Sequence, residues 1–256
     1  TLSNVNLVGL TAQERAGTID QGIETINLMS EGAQNSVGLL TTEDLQTLNI
    51  TGTQNLTLGA GTTVTGGQGA EATSYAAGLA NVSGSLETIF AGETKDADGV
   101  VTKAAFAGKL DLTLGAELNA GKDDTSGVPV QLAVTGGTGD DTFRIAQGAS
   151  VDASATNTDT IDGGEGANTL VLLGGAAQSV SAPTAGANLK NLQALEVRTG
   201  HDSVADANIL ANTFTAVEVA DVVTVDADAF DSLATIFVRN EGQGQDLIGT
   251  ATSIAS

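Results

Sequence analysis

Gly136-Gly137-Thr138-Gly139-Asp140-Asp141-Thr142-Phe143-Arg144 fits the nonapeptide Gly-Gly-x-Gly-x-Asp-x-apolar-x at every specified position. Glycines permit positive-φ turns and a close approach of backbone carbonyls. Asp141 supplies a charged oxygen, and Phe143 plants the strand that follows in a core. Calcium takes six to eight hard oxygens in flexible geometry, and carbonyl-rich turns with one carboxylate offer that kind of donor. Counting on in nines gives units at 145–153, 154–162 and 163–171. The last of these, Gly163-Gly164-Glu165-Gly166-Ala167-Asn168-Thr169-Leu170-Val171, repeats the motif with Asn168 in place of Asp. The unit before it keeps Asp159 and Ile161 and ends at Asp162, and the second unit keeps only Gly148, with Ser150 at the ligand position.

Two nonapeptides per coil would stack Asp141 and Asp159, eighteen residues apart, on one side of a β-roll, facing one calcium ion. Ser150 and Asn168 would then lie on the other side. The expected metal ligands are Gly136, Gly137, Gly139, Asp140, Asp141, Asp159 and Asp162, with a second site at Gly163, Gly164, Gly166 and Asn168. Echoes of the motif occur around Glu71, Asp246 and the Gly200-His-Asp-Ser-Val204 stretch, of which Asp246 joins the ligand set. Against each stands the plainer reading of a glycine corner that binds nothing.

A second pattern runs through the whole chain. The phrase apolar–x–small–apolar–x–apolar occurs from Ile23, Leu45, Leu86, Leu192, Phe214 and Leu233, at separations of 22, 41, 106, 22 and 19 residues. One short strand per coil of a solenoid produces such a recurrence. Leu56-Thr-Leu-Gly-Ala60 and Leu112-Thr-Leu-Gly-Ala116 form a duplication, leading to Val64-Thr-Gly-Gly67 and Val134-Thr-Gly-Gly137. Inserted segments are expected near 93–108 and 121–128. Long amphipathic stretches are absent, although Asn188 to Leu195 and Ala227 to Leu233 have the spacing of short helical turns. The expected fold is therefore all-β, a parallel β-solenoid or β-roll with Gly-Asp turns and a few short helices. It divides into a degenerate solenoid over 1–135, β-roll nonapeptides over 136–171 and a second degenerate solenoid over 172–256.

The nonapeptides resemble the repeat-in-toxin (RTX) calcium-binding family of secreted Gram-negative proteins. Few nonapeptides among many Leu-x-Thr-Leu phrases make the chain most similar to that family's surface-layer members. The resemblance implies calcium-dependent folding, self-association into a cell-surface lattice, and export through a type I secretion channel.

Composition leaves two readings of the charge, divalent-cation binding or a salt-adapted, very soluble protein whose acids are simply solvated. Thirty-one Asp and Glu against nine Lys and Arg give a net charge of −22, which repels nucleic acid and anionic membranes. There is no cysteine, hence no disulfide or thiolate site. No run of apolar residues is long enough to span a bilayer as a helix. The lack of a leader-like start at Thr1 suggests a fragment, with any anchor to cell-surface polysaccharide lying elsewhere.

Catalysis is not expected. His201 is the sole histidine and there is no Gly-x-Ser-x-Gly elbow. The pairs Asp123–Asp124, Asp140–Asp141 and Asp226/Asp228 lack the cations and aromatic platforms of a β-helix polysaccharide lyase. Asp96, Asp98 and Gly99 have the spacing of an EF-hand centre, but Ala105 stands where the bidentate Glu belongs, which leaves a surface turn. The readings to separate are a calcium-dependent surface lattice, the stalk of an RTX adhesin and, less favoured, a lyase.

Overall fold

The computed structural model describes residues 2–7, 23–59, 61–64, 72–75, 77–81, 86–115, 118, 131–146, 153–154, 157–172, 178–180, 188–199, 223–225 and 235–240. The chain opens with β1 (Leu2–Asn6), β2 (Thr25–Ser30), β3 (Asn35–Thr42), β4 (Thr47–Gly52) and β5 (Leu56–Leu58). A hairpin of β6 (Gly61–Val64) and β7 (Ala72–Tyr75) precedes β8 (Leu79–Asn81) and β9 (Thr88–Phe90). A second hairpin, β10 (Thr94–Lys95) and β11 (Val101–Lys103), leads to β12 (Leu110–Leu114), β13 (Ala133–Thr135) and β14 (Thr142–Ile145). The short pair β15 (Ala153–Ser154) and β16 (Asn157–Thr158) is followed by β17 (Thr160–Asp162), β18 (Thr169–Leu172), β19 (Gln178–Val180) and β20 (Leu189–Lys190). Last come β21 (Ala194–Thr199), β22 (Val223–Val225) and β23 (Thr235–Asn240).

Two parallel sheets dominate. The first runs β1-β3-β5-β12-β14-β18-β21-β23, with β8 also paired to β3, and the second runs β2-β4-β9-β13-β17-β20. From β1 to β5 and again from β9 to β21 the chain alternates between them, so successive coils stack in parallel, as expected of a solenoid. Both sheets continue across residues 135 and 171, where β12 pairs with β14, β13 with β17, and β18 with β21.

The core is two facing columns held in register. In the first sheet Val37, Leu58, Leu112, Phe143, Leu170 and Leu195 lie opposite one another along the ladder, and all are buried. In the second, Leu48, Ile89, Val134, Ile161 and Leu189 do the same. Side chains alternate faces along a strand, so this register keeps every apolar residue of a column inward. Each such burial is worth about 1.5–3 kcal/mol.

The recurrent phrase is the visible trace of that register. Its fourth positions, Ile26, Leu48 and Ile89, pair in the second sheet, and Leu195 pairs with Ile236 in the first. The Phe214 phrase lies outside the described residues. The duplication behaves differently: its copies neighbour one another in β5 and β12, but Leu58 rather than Leu56 pairs with Leu112. A slip of two residues preserves which face is inward, so burial does not oppose it. Val64 and Val134 are not equivalent, one in the hairpin strand β6 and the other in β13.

Helix is confined to Leu118 among the described residues, and none there is long and apolar enough to cross a membrane. The short helical turn expected over Asn188 to Leu195 is corrected: those residues form β20, a turn and the start of β21. Leu189, Leu192 and Leu195 have helical spacing, yet all point into the core from the corner of a coil. Asn191 turns that corner at φ 53, the left-handed region that Asn tolerates. Residues 227–233 lie outside the described residues.

Excursions interrupt the coils without shifting them. The chain leaves the first sheet after Leu58 and Gly59 and returns at Gly78, whose amide donates to Thr113 O on the coil beyond. The β10–β11 hairpin closes on Asp96, whose carboxylate accepts the amides of Asp98 and Val100, while Gly99 adopts φ 81. The EF-hand-like spacing is thus a capped surface turn. Lys103 ties the hairpin to the solenoid, donating to Phe90 O and lying over the Phe90 ring, with burial lowering its pKa.

Candidate functional site

The glycine-acid turn from Gly136 to Asp141 links β13 to β14, and the turn from Gly163 to Asn168 links β17 to β18 one coil later. Equivalent positions in consecutive coils are separated by 31 residues from Leu110 to Asp141, 27 from Asp141 to Asn168 and 25 from Asn168 to Gln193. Coils here are therefore longer than eighteen residues. In consequence Asp141 stacks with Asn168. Asp159 sits at the opposite corner, ahead of β17, where its Oδ1 accepts Leu132 N at 3.0 Å. The stacking of Asp141 on Asp159 read from the sequence is corrected accordingly. Ser150, Glu71, His201 and Asp246 lie outside the described residues.

Glycines fill these turns because the next coil leaves no space. A Cβ on Gly136 would lie 2.2 Å from Gly163 O, one on Gly137 2.1 Å from Phe106 O, and one on Gly139 2.4 Å from Gly108 O. On the following coil, a Cβ on Gly163 would meet Asn191 O, one on Gly164 would meet Gly137 O, and one on Gly166 would meet Gly139 O. Gly164 and Gly166 also hold φ of 78° and 87°. Backbone hydrogen bonds cross the same gap, from Gly136 N to Asp162 O, from Glu165 N to Gly137 O, and from Gly163 N to Lys190 O.

Within this stack the polar side chains act as caps. Asp141 is fully buried, and its two oxygens accept Leu110 N and Gly137 N, each at 2.8 Å. Asn168 Oδ1 accepts Asp141 N at 2.8 Å, while its Nδ2 donates to Glu165 O and Asn191 O. Gln193 Oε1 in turn accepts Asn168 N at 2.7 Å. Exposed Asp140 accepts Ala167 N, and Asp162 accepts Gly164 N and the Asn191 amide. Burial pushes the Asp141 carboxyl up to about 6, outweighing the opposing pull of the Leu110 and Gly137 amides and of Lys109.

Calcium ligation asks for six to eight oxygens at about 2.3–2.6 Å from the ion. The Asp141 carboxylate is met by N–H donors, and the space between the turns holds glycine Cα atoms against carbonyls. Among the described residues no three Asp, Glu or His side chains converge. The Asp141 carboxylate is placed as an acceptor that caps the Leu110 and Gly137 amides.

Sequence reasoning missed Gln193 and Asn55, whose Oδ1 accepts Lys109 N at 3.0 Å. The legible signal is a triplet of amide or acid, small residue and apolar residue at the entry of four coils to the first sheet, while Leu56 and Leu110 hold the first position in two others. Asn35-Ser-Val37, Asp141-Thr-Phe143, Asn168-Thr-Leu170 and Gln193-Ala-Leu195 carry it. Compared with family models, characterised proteins and solved structures, the chain matches none.

Proposed function

We propose that this chain is a structural subunit of an extracellular, cell-surface lattice of the surface-layer type, in which calcium draws acidic subunits together. The observation that carries the reading is the in-register parallel ladder of nine and six strands. Its repeats serve the stacking of coils, which yields a stiff body that presents long faces to neighbours. The net charge of −22 supports the calcium. Copies of such a chain repel one another unless cations lie between them, and Asp140, Glu165, Asp96 and Asp98 are exposed. Self-association is the partner interaction. Catalysis has no place in this reading, and the RTX architecture enters it only as a resemblance.

Electron microscopy of the purified chain with millimolar calcium and with excess chelator tests the reading. Ordered two-dimensional sheets that dissolve on chelation are expected. A chain that stays monomeric under both conditions, or forms only amorphous aggregate, defeats it.

A further inference from the structure

We infer that the glycine-acid turns are closed by a ladder of side-chain caps in which Asp141, Asn168 and Gln193 each take a backbone N–H of the preceding coil, and that Asp141 serves as such a rung and not as a cation ligand. The inference is independent of the lattice proposal, because it concerns how one coil is fastened to the next within a single molecule.

Three observations converge. First, the rungs share one geometry at one register position. Asp141 accepts Leu110 N, Asn168 accepts Asp141 N, and Gln193 accepts Asn168 N, at 2.8, 2.8 and 2.7 Å. Along a parallel sheet the ladder consists of backbone N–H to carbonyl bonds. At the corner the chain turns away, and an N–H left buried there would cost the full desolvation of a polar group. A side-chain oxygen reaching back one coil supplies the missing acceptor.

Second, two of the three rungs are uncharged. Asn168 and Gln193 perform with a carboxamide oxygen what one Asp141 oxygen performs toward the preceding coil, so the rung itself does not require negative charge, while the second Asp141 oxygen accepts Gly137 N within its own turn. Asn168 also shows how a carboxamide is accommodated: its Nδ2 donates to the carbonyl three residues earlier and to Asn191 O on the next coil. Asn35, at the same register position, closes its own turn likewise, through Nδ2 to Ala33 O and Glu31 O.

Third, both Asp141 oxygens are already engaged by amides in a closely packed turn. The turn above is packed so closely that Cβ atoms at Gly136 and Gly164 would collide with carbonyls of the adjoining coil. An ion with a full oxygen shell at about 2.3–2.6 Å would have to push the coils apart.

Residue-resolved amide exchange on the full chain, in excess chelator and again in millimolar calcium, tests the ladder. Without calcium the Leu110 and Asn168 amides are expected to exchange at least about 100-fold more slowly than in unstructured chain. Gln193→Ala should release the Asn168 amide and leave that of Leu110 protected. Asp141→Asn should keep Leu110 protected, while Asp141→Ala releases it. If the alanine variant fails to fold, the asparagine and Gln193 variants still decide. The inference is overturned if calcium slows Leu110 exchange more than about 10-fold in the parent but not in Asp141→Asn. It is equally overturned if Gln193→Ala leaves Asn168 protected.

Discussion

Gly137 and Gly99 show how differently one residue type can be constrained. Gly99 sits at the tip of the β10–β11 hairpin with φ 81 and nothing within 4 Å of an added Cβ, so Gly99→Ala meets only backbone strain, about 1 kcal/mol. Gly137 would place its Cβ 2.1 Å from Phe106 O, a backbone atom fixed by the neighbouring coil. Gly137→Ala must force neighbouring coils apart, and overpacking of that kind costs about 3 kcal/mol or more. Thermal melts of the two variants should differ in that order, and equal losses would remove close stacking as the reason for the glycines. Asp141 makes the second residue-scale prediction. Its folded pKa of about 6 lies above the ordinary Asp value, so the folded state holds the proton more tightly than the unfolded state does. Its contribution to stability is fully present below about pH 4 and is lost as pH rises through 6, about 3 kcal/mol in all. The parent should therefore gain stability between pH 7.5 and 5. Asp141→Asn, lacking the buried charge, should show a flatter profile in that window, with a loss that does not change with pH because its Nδ2 meets the Gly137 N–H that the second carboxylate oxygen accepts in the parent. Denaturant titrations at both pH values check this, and a variant as steep as the parent would assign the pH dependence to other acids.

At the scale of the element, strands and excursions should respond in opposite ways. Phe143 is fully buried at the centre of the first sheet's inward column, and Phe143→Ala should cost about 3–5 kcal/mol. Replacing the hairpin from Thr94 to Lys103 with a short turn removes exposed residues and the Lys103–Phe90 contact, so the loss should stay near 1 kcal/mol or below. Urea denaturation of both separates them, and a hairpin deletion as costly as the core truncation would make the excursion integral to the fold. This contrast also explains what is legible in the sequence. The recurrent phrase is legible because its alternation is the inward column itself, with Ile26, Leu48 and Ile89 in one register. Coil length is not legible. The excursions are inserted at corners, where added residues disturb neither face, so counting in nines finds the motif matches and fails for the stacking of Asp141 on Asp159. The caps are half legible: the Asp and Asn of the glycine motifs stand out, whereas Gln193 does the same work from a turn without glycines. Asn188 to Leu195 misleads because three leucines facing inward around a corner have the spacing of a helical face.

For the whole molecule the governing quantity is the charge of −22 spread over a solenoid whose coils touch chiefly their neighbours. Two effects of added ions then separate. Within one molecule the acids repel across the surface, and any salt relieves this by screening, the Debye length falling to about 8 Å at 0.15 M. The coil-to-coil caps need no ion, so calcium and sodium at matched ionic strength should raise the melting temperature of the dilute chain to a similar degree. Between molecules the demands differ. A monovalent ion weakens repulsion but holds nothing together, whereas a divalent ion can take carboxylate oxygens from two subunits at once. Assembly should therefore appear with millimolar calcium and not with sodium chloride of equal ionic strength. Sedimentation and calorimetric melts run on the same samples measure both effects. Sodium assembling the chain as well as calcium would reduce the ion's role to screening. Calcium raising the melting temperature of the monomer far above the sodium value would place an ion inside the coils, and the cap ladder would then be the wrong account of the glycine-acid turns.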